Sequence, residues 1–236
     1  MGDKMLLYSM EQLLNWISQE YQDRNTVFGI PASQFFRKKN NYRATIFGQD
    51  SDTFLGPAAG PHTQIAQNLI TSYLCGGRFL ELKTVQKMDN LVIPKPCIDA
   101  LDEGYNTEWS TELTLEEAYE EYAKAWIIIS LLSQYFPLPE GSRSNFIFNM
   151  SLGYDLEGIQ SPAMDCFINR LMDSKEDTLF NRMIDEADQF LSRESFFGGQ
   201  NQKELREVIP LIPVNLVQSV TLSTMHGCPP SEIEKI

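Results

Sequence analysis

The feature that most constrains this chain is a rhythm that begins near residue 53, where short strand-like runs alternate with helical runs. Thr53-Phe54-Leu55-Gly56 runs into the turn Gly56-Pro57-Ala58-Ala59-Gly60-Pro61. A helix follows from about Thr63 to Cys75 and stops at Gly76-Gly77, a good C-terminal signal. Arg78 to Val85 is the second strand, followed by a long polar insertion through Trp109. Thr114 then caps a helix with Glu116 and Glu117 in its first turn, as the helix dipole favours, and Pro137 and Pro139 stop it after Tyr135. Asn145 to Met150 forms the third strand, with one or two helices between Pro162 and Ser192. The fourth is Ser219 to Thr224, ending in Met225-His226-Gly227-Cys228-Pro229-Pro230.

Strands alternating with helices specify parallel β/α units joined by right-handed crossovers. The expected class is therefore α/β: an incomplete (β/α)8 TIM barrel with about four parallel strands and crossover helices, plus an N-terminal helical segment. Residues 1–50 are expected to form that helical extension, with a helix from about Met5 to Gln22. Within it, Pro31-Ala32-Ser33 and Arg37-Lys38-Lys39 fit a short helix entry or a surface loop. Residues 51–236 would be the first half of the barrel. A closed barrel takes roughly 250 residues, and Ser231 with Glu234 opens a well-capped helix that reaches Ile236 after about one turn. The expectation is a truncated barrel without catalysis of its own.

Charge removes several classes of partner. The formal charge is −13, from 32 acidic against 19 basic residues, which repels phosphate backbones and anionic headgroups. Neither nucleic acid nor a membrane surface is an expected partner. The apolar run Ala125 to Leu132 is far shorter than a bilayer span of roughly 20 residues. The four cysteines, Cys75, Cys97, Cys166 and Cys228, form no C-x-x-C pair. No metal site is expected within the chain, and free thiols fit a reducing cytoplasm.

Function in β/α barrels sits on the loops that follow the strands. In the first loop, Ala58, Ala59 and Gly60 allow a ligand close to the backbone, and the following helix N-terminus offers amides to an anion or a polarised ring. The same residues also make an ordinary tight turn. Alternation in the second strand puts Leu80, Leu82 and Thr84 on one face and Phe79, Glu81, Lys83 and Val85 on the other. Lys83 in a barrel mouth needs a partner: a ligand group, Glu81, or solvent reached along its stem. The third loop begins at Asn149, whose amide can fix a ring edge. In the fourth, Cys228 lies two residues from His226 and ahead of a helix N-terminus, an environment that lowers a thiol pKa. A loop held by its prolines accounts for the same residues.

Three blocks carry a resemblance: GPAAGPHTQIAQNLITSYLCGGRFLELKTVQ, FNMSLGYDLEGIQSP and VTLSTMHGCPPSEIEKI. Together they resemble the amino-terminal region of the large iron–sulfur flavoproteins named as selenate reductases. The first domain of that family is similar to dihydroorotate and dihydropyrimidine dehydrogenases. The resemblance implies flavin mononucleotide against Ala58, Ala59 and Gly60, a flavin contact from Lys83, and Cys228 as catalytic base. It also implies 4Fe–4S clusters and FAD or NAD(P) sites only in downstream redox domains, with a molybdenum enzyme as a further partner. The chain departs from the dehydrogenase pattern at Met225, where an Asn stands three residues before the Cys. That departure favours the alternative of a degenerate barrel serving as a scaffold or docking domain.

Overall fold

The computed structural model describes residues 6–38, 43–83, 113–135, 145–152, 156–193 and 202–222. The insertion at 84–112, the end of the third loop, the whole fourth loop with Cys228, and the capped segment at 231–236 lie outside the described residues.

Helix α1, Met10–Arg24, starts at a Ser9 capping box with Gln12 and ends at Asn25 in the left-handed region. It buries Leu13, Leu14 and Ile17 and packs on a later helix, α6 (Thr178–Arg193). Two small antiparallel hairpins follow. Strands β1 (Thr26–Val27) and β2 (Ile30–Pro31) flank Phe28-Gly29; β3 (Ala44–Ile46) and β4 (Gln49–Ser51) flank Phe47-Gly48. All four turn residues have positive φ, between 47° and 78°, the backbone of a primed two-residue turn that matches strand twist.

Lys38, in the segment expected to be a short helix entry or a surface loop, is buried. Its ammonium donates to Asp52 Oδ1 at 2.9 Å, and the Arg78 guanidinium lies 3.7 Å from the other carboxylate oxygen. Arg78 also stacks over Tyr73, 4.1 Å from the ring centroid, and donates to Tyr73 O at 2.6 Å. A charge on a loop can leave water when a carboxylate of opposite sign and an aromatic face receive it. This cluster fastens the segment carrying the second hairpin to the start of the barrel sheet.

The expected first strand is an extended segment and not a ladder strand. It hangs on β5 (Phe79–Lys83) through Leu55 O, which accepts from the Arg78 and Phe79 N–H groups at 2.8 and 3.1 Å, and Pro57 O, which accepts from Glu81 N–H at 3.2 Å. Pro57 itself has no N–H to give a regular ladder. Gly56 is required there: a Cβ would fall 1.4 Å from Phe79 O. A 3-10 turn, Pro61–Gln64, leads into α2, Ala66–Leu74. At its end the Gly77 N–H bonds Ser72 O at 2.8 Å and the Gly76 N–H bonds Tyr73 O at 3.0 Å, with Gly76 at φ 107°. That is the Schellman arrangement the paired glycines predict.

Among the described residues the barrel sheet is parallel, in the order β5, β6 (Ile147–Leu152), β7 (Ser219–Leu222). Among the described residues the barrel is not closed. Its apolar face, with Leu80, Leu82, Phe148, Met150 and Leu152 buried, packs toward α3 (Leu115–Tyr135). Trp126 of α3 sits 5.2 Å from the Phe148 ring and 4.7 Å from Phe146. Residues 121–132 of α3 are buried all round, as a helix with neighbours on every side must be; α2, α5 (Pro162–Met172), α6 and α7 (Gln202–Val208) supply them. The short α4, Leu156–Ile159, precedes α5. Among the described residues no helix is long and apolar enough to cross a membrane.

Candidate functional site

Register decides what the other face of the sheet presents. Glu81 pairs with Asn149 and Asn149 with Ser219; Lys83 pairs with Ser151 and Ser151 with Thr221. Paired residues of a parallel sheet share a face. Two successive rows therefore carry only polar side chains, the first crossing the middle of β5 and β6 and the start of β7, the second reaching the C-terminal end of β5 at Lys83. Such a face has little to gain from packing on an apolar layer and suits a ligand with polar edges.

Hydrogen bonds confirm the shared face. Asn149, with 0% of its surface exposed, donates through Nδ2 to Thr221 Oγ1 at 2.8 Å and accepts from Ser219 Oγ at Oδ1, 2.6 Å. Its amide is thus a strap between β6 and β7, and Oδ1 already has a partner. Lys83 is 4% exposed, and its carbonyl accepts from the buried Tyr122 hydroxyl at 2.6 Å. Burial pushes the Tyr122 phenol well above its ordinary value, so it stays a donor.

The small-residue turn arrives on the same face, because Glu81 Oε2 accepts from the Ala59 N–H at 3.2 Å. Gly60 is tied to Thr63: its N–H donates to Thr63 Oγ1 at 3.1 Å, and that hydroxyl donates to Gly60 O at 3.0 Å. Further on, the Ala66 N–H at the start of α2 donates to Glu121 Oε2 at 2.7 Å. These bonds correct one sequence expectation. The turn and the helix start do not offer the Ala59, Gly60 and Ala66 amides to an anion; a glutamate or a threonine already takes each. Ala58 is exposed in the same turn.

Glu81 thus links the turn at Ala59 to the face of the sheet that carries Lys83 and Asn149, with Gly60 tied beside it through Thr63. Cys228 lies outside the described residues. Glu81 and Thr63 are the members that sequence reasoning did not single out as ligand-side residues. The strand alternation put Glu81 beside Lys83, but its bond to Ala59 spans 22 positions and leaves no local trace. Among the described residues no group of three or more His, Cys, Asp or Glu side chains is placed to hold a metal. A cavity of about 500 Å³ is lined by Trp126, Asn145, Phe146, Ile147 and Gln218, among others. It lies at the N-terminal ends of β6 and β7, the barrel end that serves stability and not chemistry.

Parallel strands joined by crossover helices, with polar residues in register on one face of the sheet, define a β/α-barrel domain. The chain belongs to the family described as "Oxidoreductase YgfK, N-terminal TIM-barrel domain", which matches residues 28–236. It is 50% identical over 240 residues to the protein named "Putative oxidoreductase YgfK" in Escherichia coli (strain K12), and equally to its namesake in Escherichia coli O157:H7. Each match covers 100% of this chain and 23% of the relative. The chain therefore spans about a quarter of the length of these curated relatives. No solved structure matches it.

Proposed function

We propose that this chain is the flavin-binding barrel portion of a cytoplasmic multidomain iron–sulfur oxidoreductase that moves electrons between NAD(P)H, flavin and Fe–S clusters. In this reading residues 51–236 form the barrel and 1–50 an extension of helix α1 followed by hairpin strands, in place of the wholly helical segment expected from the sequence, with clusters and nucleotide sites in further redox domains. The observation that carries it is the seating of the Ala58–Gly60 turn on the polar face of β5 and β6 that also carries Lys83 and Asn149. The residues fit a flavin ring: a small-residue turn permits close approach, and a buried ammonium suits its electron-rich edge. Flavin would supply hydride and single-electron transfer. This chain's residues would bind and orient the ring, with Lys83 beside it, the turn against it, and Cys228 as the acid/base group.

The test is the absorption spectrum of the full-length protein, purified as wild type and as Lys83→Ala. The expected result is a bound flavin that the substitution weakens by about tenfold or more in affinity. A full-length protein that never retains flavin rejects the cofactor.

A specific observation also supports a second reading, a degenerate barrel that docks the redox domains or a molybdenum-enzyme partner. The turn amides and the Asn149 carbonyl are satisfied internally, and Met225 departs from the dehydrogenase pattern. Cys228→Ala separates the two. Loss of turnover favours the catalytic barrel, and full turnover favours the scaffold.

A further inference from the structure

The Ala59 N–H faces a carboxylate of its own chain, at the position where a strand-to-helix turn could otherwise hold an anionic ligand group. Glu81 is held firmly enough to keep that role. Its backbone N–H donates to Pro57 O at 3.2 Å, so main chain and side chain both bind the segment whose turn they shape. Across the ladder it stands level with Asn149, the strap to β7. The neighbouring amide of Gly60 is closed by Thr63. A phosphate brought to this turn would displace a charged hydrogen bond and then meet the Glu81 charge at close range.

We propose that Glu81 is a positioning and charge-selecting residue of the candidate site. By accepting the Ala59 N–H it sets the Ala58–Gly60 turn, and its carboxylate keeps anionic groups away, so the turn receives an uncharged ring and not a phosphate. This rests on the flavin reading above and deepens it. A flavin seated here takes its phosphate to another part of the protein.

The test uses the full-length protein as wild type, E81Q and E81A, with two readouts. The first is hydrogen exchange at the Ala58, Ala59 and Gly60 amides, with and without inorganic phosphate. E81A should exchange about tenfold faster at Ala59, whereas E81Q, which keeps an acceptor oxygen, should stay within about threefold of wild type. Inorganic phosphate should slow exchange in both variants and leave wild type unchanged. The second readout is binding of riboflavin and of flavin mononucleotide by fluorescence quenching. Both ligands should lose about tenfold in E81A and less in E81Q. Unchanged Ala59 exchange in E81A, or equal protection of wild type by phosphate, overturns the role of Glu81. Wild type that binds neither flavin overturns the flavin reading instead, and the exchange data then still decide the charge selection.

Discussion

Glu121 and Lys124 form an ion pair one helical turn apart inside the core, at 0% and 1% side-chain exposure. Lys124 also donates to Tyr8 O at 2.6 Å, and Glu121 caps α2 through Ala66. One pair therefore joins α3 to the start of α2 and to the residue preceding the α1 cap. Lys124→Met leaves the Glu121 carboxylate buried without its counter-charge. The expected loss is about 3–5 kcal/mol in urea denaturation. The double variant Glu121→Gln/Lys124→Met should regain much of that loss. A single variant as stable as wild type would remove the pair from the account.

The same carboxyl sets a pH dependence. Burial pushes Glu121 above the ordinary carboxylate value, against the opposing pull of Lys124. The folded chain thus binds this proton more tightly than the unfolded chain does. The group's contribution is most favourable below the ordinary carboxylate range and falls as pH rises through the raised folded value. Wild type minus Glu121→Gln, measured by denaturation from about pH 4 to pH 8, should decline in that direction.

Asp177 behaves in the opposite sense. Burial pushes it up, but hydrogen bonds from Arg170 Nε and the Phe180 N–H, both 2.8 Å, outweigh this and hold the carboxyl below its ordinary value. Its contribution is present above the ordinary aspartate range and is lost as pH falls through the depressed folded value. Asp177→Asn should cost about 1–2 kcal/mol at neutral pH. The gap from wild type should narrow on acidification in the same denaturation series.

Asn149→Ala removes both side-chain bonds that tie β6 to β7 and leaves two hydroxyls to find new partners. A loss of about 2 kcal/mol is expected. Exchange should accelerate most at residues 219–222, which separates a lost strap from a general weakening of the core.

The sequence made the helices legible where their signals are local. Thr114 and Glu117 cap α3 reciprocally, and Ser161 with Pro162 opens α5. The paired glycines end α2 as expected. The two hairpins were hidden because their turns use Phe28-Gly29 and Phe47-Gly48 in place of the Asn-Gly or Asp-Gly that signals a primed turn. The burial of Lys38 left no local sign because its partner Asp52 is 14 positions away. In the candidate site, alternation placed Lys83 and Glu81 together, but the closure of the turn amides depends on pairs that only the fold brings within reach.

Gly56→Ala should be severely destabilising, by about 3 kcal/mol or more, because the methyl would overlap the Phe79 carbonyl. Loss of soluble folded protein, or a large drop in Tm, is the expected outcome. An alanine variant of near wild-type Tm would mean the segment can shift away from β5.

That close approach at Gly56 fixes more than local stability. The backbone of β5 supplies both the platform on which the first turn rests and the strand end that carries Lys83. The distance of the turn from that strand is consequently set by main-chain contacts at Leu55, Gly56 and Pro57, not by the side chains of Ala58 or Ala59. Substitutions at Ala58 or Ala59 would change the surface the turn presents while leaving its seat on β5 in place, so that surface could be remodelled one residue at a time.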